Sequence, residues 1–342
     1  MHKLPDNIQP SRWKVGENGL EVQWLHDSHL SFYNWDFLET YIKGERPEPE
    51  NVPLKYFGAA GHPDSSIEYE EFGKNERQAV GRLTDMIRRN GFALVTGVPT
   101  ETAATTEDLL EKITFIRRTH YGGFYDFIPD LALADAAYTN EPLPVHTDNT
   151  YFSDPAGIQA FHLLSHTDPS SGGGSETTLG GETLLVDGFY AAELLRKECP
   201  DSFNTLASFR FPCHASGNEG IAISPDMLYP VLELDLDQNT VHRIRWNPND
   251  RGVIPLGEDT MKWYEAEKKY HEILRREELV YQFQLKPGTV LIFDNWRVLH
   301  GRTAFTGMRR ICGGYLNRDD FISRWRNTNF GKREIFRQVI GE

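Results

Sequence analysis

The sequence predicts a mainly β fold with flanking helices, in which short strands form a barrel or jelly roll. Two observations support this prediction. Many short strand-like runs accompany only a few helical ones, and the two kinds of element do not alternate regularly. Regular alternation is typical of a doubly wound parallel sheet, so that class is disfavoured. The 342 residues are enough for a sizeable hydrophobic core.

The first 66 residues are predicted to form a small β-rich region. Residues 11–44 contain runs in which apolar and polar side chains alternate with a period of two. Residues 45–66 are rich in Pro, Glu and Gly and are typical of a linker. A larger domain is therefore predicted over residues 67–342, with residues 170–181 as a flexible insert rich in Ser and Gly.

The larger domain begins with a helix and a strand whose limits are readable in the sequence. Asn75–Asn90 has apolar residues at helical spacing, and Gly91 follows as a typical helix end. Phe92–Thr96 is predicted as a buried strand, and Thr106–His120 as a second helix. The later predicted helices are Asp187–Lys197 and Glu258–Glu278, and the later predicted strands are Ile158–Leu164, Glu182–Val186, Ser208–Pro212, Leu279–Leu285, Thr289–Phe293 and Ile311–Leu316.

Charge and cysteine content exclude several classes of protein. A net charge of −14 argues against nucleic acid or an anionic membrane surface as partner, because both require clustered Lys and Arg. The three cysteines, Cys199, Cys213 and Cys312, are too few and too widely spaced for a disulfide framework or a zinc ribbon. These features favour an intracellular, reduced protein that acts on a small molecule.

The most informative local motif is His146-Thr147-Asp148. Two side chains that lie two residues apart on a strand point the same way, so the imidazole and the carboxylate can bind one cation. His300, which follows the apolar run Val290–Phe293, is the candidate for a third ligand of a two-histidine, one-carboxylate site. The alternative for the motif alone is a structural His–Asp hydrogen bond, since a His-x-Asp string often occurs by chance.

Longer strings extend this motif, among them His146–Phe152, Thr183–Glu193 and Asp294–Arg302. Through them the sequence resembles, over about residues 75–325, the Fe(II)/2-oxoglutarate-dependent oxygenases of the TauD/TfdA superfamily. Within that superfamily it is most similar to the trimethyllysine dioxygenases, with the γ-butyrobetaine dioxygenases as a sister group. The resemblance implies a double-stranded β-helix (jelly-roll) core.

The resemblance also implies the metal and co-substrate ligands. His146, Asp148 and His300 would bind Fe(II), leaving open positions for 2-oxoglutarate and O₂. Arg309 would bind the distal carboxylate of 2-oxoglutarate, with Thr183 as a helper. Arg309 and Arg310 are adjacent on the predicted strand, so at most one of them faces inward. Ascorbate is implied as a reductant.

The implied reaction is hydroxylation of Nε-trimethyllysine at its β-carbon, as in carnitine biosynthesis. The family holds a trimethylammonium group in an aromatic cage through cation–π interactions. The matching aromatic positions here are Tyr121, Tyr125 and Tyr138, with Tyr315 nearby. Tyr125 stands where the family usually has Trp. Asp135 suits a free α-ammonium group, which trimethyllysine has and γ-butyrobetaine lacks, and Asn247 matches another polar substrate position.

The sequence departs from the family pattern at its N-terminus. Members of this branch commonly bind a structural zinc there through three Cys and one His, but no cysteine precedes Cys199. We therefore expect no structural zinc and only one iron. No secretory or transit signal is visible, which favours a cytoplasmic location, with a mitochondrial one as the alternative. The resemblance implies a homodimer.

Two other functions remain open from the sequence. The missing zinc site and Tyr125 favour a sibling oxygenase that acts on γ-butyrobetaine or on another amino acid in secondary metabolism. A catalytically silent module that binds methyl-lysine is the second, although the motif for iron argues against it. Without the resemblance, the tyrosines would be ordinary core aromatics and Asp135 a solvated loop residue.

Overall fold

The computed structural model describes residues 8–43, 52–128, 140–167, 179–217, 219–235, 240–257, 259–332, 334–335 and 339. The chain divides into two compact units. One contains Met1–Val52 and Phe330–Glu342, and the other contains Pro53–Asn329. The site residues that the structure describes all belong to the second unit.

The N-terminal unit contains an antiparallel sheet of order β1-β2-β3, formed by Pro10–Val15, Gly19–Trp24 and Leu30–Asn34. The predicted period-two pattern is thereby confirmed. A helix that was not predicted, α1 (Trp35–Ile42), follows directly. It begins where it does because the Asn34 side chain accepts a hydrogen bond from the Phe37 amide at 2.7 Å.

The strands of the second unit form a larger sheet, a smaller sheet and a separate antiparallel pair made by the eighth and ninth of these strands. In chain order they are β4 (Ser66–Glu68), β5 (Phe92–Thr96), β6 (Ile116–Arg117), β7 (Tyr125–Phe127), β8 (Leu143–His146), β9 (Ile158–Thr167), β10 (Thr183–Asp187), β11 (Leu232–Leu234), β12 (Val241–Ile244), β13 (Tyr281–Phe283), β14 (Val290–Asp294), β15 (Val298–Arg302) and β16 (Met308–Leu316). The larger sheet has the order β4-β5-β14-β9-β16-β6, with β7 also paired to β16. The smaller sheet has the order β13-β10-β15-β8.

One apolar cluster joins the two sheets. Its members come from strands of the larger sheet, such as Leu163 and Phe293, and from the smaller sheet, such as Leu185 and Val298. The alternating side chains of the larger sheet, such as Ala160 and Ile292, point to the opposite face. Two sheets with a shared core make the predicted double-stranded β-helix, and the mainly β fold class is confirmed.

Helices cover the outer faces of both sheets. They are α2 (Glu70–Lys74), α3 (Glu76–Asn90), α4 (Ala104–Ile113), α5 (Gly188–Glu198), α6 (Pro200–Ser208), α7 (Thr260–Leu274) and α8 (Arg318–Asn329). Helices α3, α4 and α8 bury Leu83, Leu109 and Phe321 against the larger sheet. Helices α5 to α7 pack over the outer face of the smaller sheet. Within the described part of the chain, no helix is both long and apolar enough to cross a membrane.

Helix α3 and strand β5 confirm the sequence prediction almost to the residue. Asn75 caps the start of α3 by accepting from the Gln78 amide at 3.2 Å. Gly91 ends the helix in the left-handed conformation, with φ of 87°, where a side chain would be strained.

Two predicted elements are wrong. The helix predicted over Thr106–His120 ends at Ile113, because the chain becomes extended at Thr114 and then pairs with β16. The strand predicted over Ser208–Pro212 begins inside helix α6, and only Phe211 forms a bridge, to Tyr229. In both cases a tertiary partner decides the local conformation.

Candidate functional site

Two neighbouring strands of the smaller sheet bring the predicted metal ligands together. His146 ends β8, and His300 lies directly opposite it on β15. Asp148 follows two residues after His146, beyond the end of the strand. Ligand atoms of these three residues lie within 4.8 Å of one another, close enough to hold one metal ion.

The backbone around Asp148 is held by side-chain hydrogen bonds. The Asp148 amide donates to the Asn295 side-chain oxygen at 2.9 Å, and the Asn295 amide nitrogen donates to the Asp148 carbonyl at 3.0 Å. Thr147 is bonded in both directions to Trp246, at 2.8 Å and 3.0 Å. These contacts hold the carboxylate-bearing segment beside β15, so the site is preorganised.

The donor set fits a divalent metal ion. His146 Nδ1 lies 2.8 Å from the carbonyl oxygen of Pro144, and a carbonyl only accepts, so Nδ1 carries the proton. Nε2 of the same ring faces Asp148 Oδ1 at 3.2 Å. His300 Nε2 lies 4.0 Å from the same oxygen. Burial acts to lower the pKa of His146, but its hydrogen bond with Asp148 and the Asp148 charge raise that pKa above its ordinary value. An imidazole nitrogen and a carboxylate oxygen as close as His146 Nε2 and Asp148 Oδ1 need a proton or a metal ion between them. Fe(II) suits a set of two histidines and one carboxylate.

Burial and mutual charge set the protonation of the three side chains. Burial, assisted by the nearby His146, lowers the pKa of His300 to about 3, so its imidazole is neutral near pH 7. Burial acts to raise the pKa of Asp148, but its hydrogen bond with His146 and the charges of the histidines hold that pKa well below its usual range. A neutral imidazole and an ionised carboxylate are the forms that bind metals.

The second oxygen of Asp148 is held by two donors. Tyr315 donates its hydroxyl to Oδ2 at 2.6 Å, and Gln159 donates its side-chain amide to the same atom at 2.7 Å. Burial and the Asp148 charge raise the pKa of Tyr315 well above its ordinary value, so the phenol keeps its proton. Sequence reasoning placed Tyr315 near the substrate and did not anticipate this bond.

The three ligands line a cavity of about 710 Å³, a volume typical of small-molecule sites. One wall of the cavity carries Arg309 and Thr183, which are both buried. Arg309 is 4% exposed, its Nε finds no hydrogen-bond partner, and no carboxylate among the described residues forms an ion pair with it. Burial, together with the charge of Arg302, lowers the pKa of Arg309 to about 10. A buried cation without an anion fits a carboxylate ligand.

Arg309 and Arg310 face opposite ways, as expected of neighbours on a strand. Arg310 lies on the outside and makes a bidentate ion pair with Asp126, at 2.9 Å and 2.6 Å. The inward residue is therefore Arg309.

Aromatic side chains form another wall of the cavity. Tyr121, Tyr125 and Tyr315 line it, and the rings of Tyr125 and Tyr315 meet edge to face with centroids 6.1 Å apart. Tyr125 donates its hydroxyl to the Ala160 carbonyl at 2.9 Å. Gly313 permits this approach, since a side chain there would lie 1.9 Å from the Ala160 oxygen.

The polar substrate residues predicted from the sequence are partly described. Asn247 lines the same cavity. Asp135 and Tyr138 lie outside the described residues, as does most of the predicted insert at 170–181.

Sequence reasoning missed several residues of the site. Asn295 and Arg302 lie inside the string Asp294–Arg302 that was singled out, but nothing in the string distinguishes their roles. Gln159 sits at an inward position of β9, which alternation indicates once the strand's buried face is known. Asp250 lines the cavity and accepts from the Thr150 hydroxyl at 2.7 Å. No local pattern indicated it.

Comparisons with known proteins agree with this geometry. The family model described as "Taurine catabolism dioxygenase TauD, TfdA family" matches residues 50–315. Trimethyllysine dioxygenase from Neurospora crassa is 48% identical over an alignment that covers 99% of this chain and 77% of the relative. The human "Trimethyllysine dioxygenase, mitochondrial" is 42% identical over 92% of this chain and 73% of its own length.

Solved structures share the fold at low identity. A taurine dioxygenase from Burkholderia xenovorans superposes with a TM-score of 0.51 at 14% identity, over 77% of this chain and 89% of the other. An asparagine oxygenase solved with Fe(II) and succinate superposes with a TM-score of 0.53 at 16% identity, over 75% and 86%. The match to the family model and the identity to these relatives lead to one conclusion. The chain belongs to the TauD/TfdA family of Fe(II)- and 2-oxoglutarate-dependent dioxygenases.

Proposed function

We propose that this protein hydroxylates Nε-trimethyllysine at its β-carbon, as in carnitine biosynthesis, with Fe(II), 2-oxoglutarate and O₂. One observation carries the proposal. Three side chains that can bind a metal line the same cavity as a buried arginine, which forms no ion pair with any residue that the structure describes. Relatives of 48% and 42% identity are named trimethyllysine dioxygenases, which supports the choice of substrate.

In this proposal each wall of the cavity binds a different component. His146, Asp148 and His300 hold Fe(II), and Arg309 binds the distal carboxylate of 2-oxoglutarate with help from Thr183. Bound Fe(II) and 2-oxoglutarate supply O₂ activation coupled to oxidative decarboxylation. The protein residues orient the two substrates and exclude water, since the apolar side chains of Phe161 and Leu291 line the same cavity.

The substrate wall suits a small cationic amino acid. The rings of Tyr121, Tyr125 and Tyr315 line the cavity, and aromatic rings attract a quaternary ammonium group. We propose that Asp135 and Tyr138 complete the binding of the two ends and that Asn247 holds the carboxylate end. The negative charge of Asp250, which lines the same cavity, favours a cationic substrate as well.

The remaining sequence expectations enter as parts of the proposal. We propose a homodimer, ascorbate as reductant, no structural zinc, and no nucleic-acid or membrane partner. We propose a cytoplasmic location and a domain boundary at residues 66 and 67, which lies 14 residues after the division between the two compact units at Val52 and Pro53. The animal relatives carry "mitochondrial" in their names, which supports a mitochondrial location as the alternative.

Tyr125 favours one alternative function. The family usually has Trp at this position, and Tyr is a weaker cation–π partner. A sibling oxygenase acting on an amino acid that has no quaternary nitrogen would tolerate this change, whereas γ-butyrobetaine would need the same aromatic cage as trimethyllysine. A module that only binds methyl-lysine is a poorer explanation, because it has no use for the metal ligands.

A substrate panel tests the proposal. The protein is incubated anaerobically with Fe(II) and 2-oxoglutarate, then exposed to O₂ with trimethyllysine, γ-butyrobetaine, lysine or valine. Mass spectrometry reads a gain of one oxygen atom in each amino acid. We expect the gain for trimethyllysine alone, and its loss in His146→Ala. If lysine or valine is hydroxylated and trimethyllysine is not, the proposed substrate is refuted. If His146→Ala still forms succinate in a reaction that depends on the amino-acid substrate, the proposed metal ligands are refuted.

A further inference from the structure

Two neighbouring residues of the larger sheet share one acceptor. Tyr315 on β16 and Gln159 on β9 are register partners. Both side chains are buried, at 5% and 1% exposure, and both donate to Asp148 Oδ2. Since they come from the sheet opposite the metal ligands, they link the two sheets at the site.

This arrangement leaves the two Asp148 oxygens with different roles. Oδ2 accepts two hydrogen bonds, and Oδ1 faces Nε2 of both histidines. Hydrogen bonds to an ionised carboxylate are shorter and stronger than neutral ones. The two donors therefore fix the rotation of the carboxylate and present Oδ1 alone to the metal.

Tyr315 also belongs to the substrate wall of the cavity. Its ring lies edge to face with that of Tyr125, while its hydroxyl bonds Asp148. A cation that rests on a phenol ring draws electron density from it and makes the hydroxyl a stronger donor. A stronger bond to Oδ2 draws charge away from Oδ1 and alters the field that the metal experiences.

We propose that Tyr315 and Gln159 are positioning residues for Asp148, and that Tyr315 couples the occupancy of the aromatic wall to the metal site. The coupling rests on the proposed function, since it requires a cationic substrate against Tyr315. The positioning of Asp148 does not. Linkage makes the coupling reciprocal, so the metal and the cationic substrate change each other's affinity by the same factor.

Co(II) is a suitable probe, because its visible absorption bands depend on its ligands and need no turnover. Tyr315→Phe keeps the ring and removes the hydroxyl, and Gln159→Leu removes the other donor. Tyr270→Phe is the matched control, since the Tyr270 hydroxyl is also buried but donates to the Gly188 carbonyl at 3.3 Å and not to Asp148. Equilibrium titration without substrate measures Co(II) affinity.

We expect Tyr315→Phe and Gln159→Leu to weaken Co(II) binding about 10- to 100-fold, and Tyr270→Phe to bind like the wild type. We expect trimethyllysine to shift the Co(II) bands of the wild type and of Gln159→Leu, but not those of Tyr315→Phe. We also expect calorimetry to show that Tyr315→Phe still binds trimethyllysine.

The positioning role, the coupling and the proposed function can each be refuted separately. Unchanged Co(II) affinity in Tyr315→Phe and Gln159→Leu overturns the positioning role. An equal shift of the bands in Tyr315→Phe and the wild type overturns the coupling. Failure of trimethyllysine to bind the wild type overturns the proposed function together with the coupling, whereas the titration without substrate still decides the positioning role.

Discussion

Replacement of Arg309 by methionine is expected to stabilise the ligand-free protein while it removes tight binding of 2-oxoglutarate. Arg309 is a buried guanidinium on the cavity wall, and none of the ion pairs between described residues involves it. Methionine has a similar length and carries no charge, so Arg309→Met removes the cost of burying the charge without leaving a large void.

The expected change in the free energy of unfolding follows from the burial of Arg309. An arginine in water titrates above ~12, and burial together with Arg302 lowers the pKa of Arg309 to about 10. The difference corresponds to about 3 kcal/mol, because one pKa unit is about 1.4 kcal/mol. The guanidinium also lies 5.7 Å from the Phe305 ring centroid, and loss of that cation–π contact costs about 1 kcal/mol. A net gain of about 2 kcal/mol raises Tm by roughly 4 °C in a protein of this size.

Bound 2-oxoglutarate is expected to favour the wild type over Arg309→Met instead. A carboxylate that binds Arg309 makes charge-assisted, bidentate hydrogen bonds. Truncating one partner of such a buried pair costs about 2–5 kcal/mol, so the Kd for 2-oxoglutarate rises at least about 30-fold. We therefore expect 2-oxoglutarate to raise the Tm of the wild type and to leave that of Arg309→Met nearly unchanged.

The assay is thermal unfolding of the protein with Mn(II), with and without 2-oxoglutarate, together with calorimetric titration of 2-oxoglutarate. Arg310→Met is the matched control. It removes the neighbouring arginine, whose ion pair with Asp126 is exposed, and exposed pairs contribute only about 0–1 kcal/mol. The reasoning is refuted if Arg309→Met is less stable than the wild type without ligand and still binds 2-oxoglutarate with wild-type affinity.

Three further predictions concern other parts of the molecule. His162 is fully buried, and burial lowers its pKa to about 4. The free energy of unfolding is therefore expected to fall by about 3 kcal/mol as the pH drops from ~6.5 toward 4, because the unfolded chain binds the proton more readily. Urea unfolding at pH 7 and 4.5 is expected to show this loss in the wild type and a smaller one in His162→Gln. Asp187 and Arg297 form a fully buried bidentate ion pair, so Asp187→Asn is expected to destabilise the protein by about 3–5 kcal/mol in the same assay, and an unchanged midpoint would contradict this. Tyr125→Ala removes one ring of the aromatic wall and is expected to raise the KM for trimethyllysine about 10-fold with a smaller change in kcat, whereas an equal rise for Tyr125→Phe would show that the ring is not what binds the cation.

Local patterns were sufficient where an element is stabilised by its own sequence. Helix α3 has a capping Asn75 and a terminal Gly91, and β5 is a short apolar run, so both were predicted almost to the residue. The helix predicted to continue to His120 failed because strand pairing at Ile116 outweighs a weak local preference for helix. The jelly-roll class followed from the number of short strands and from the resemblance.

The sequence by itself determined that the chain carries a two-histidine, one-carboxylate motif, an acidic surface and a family resemblance spread over most of its length. Only the tertiary structure decided which side chains share each atom of the site. It turned Arg309 inward and Arg310 outward, opposed His146 to His300, and aimed Tyr315 and Gln159 at one oxygen of Asp148. These contacts join residues up to 167 positions apart, and such contacts depend on strand register, which a single sequence does not encode as a local pattern.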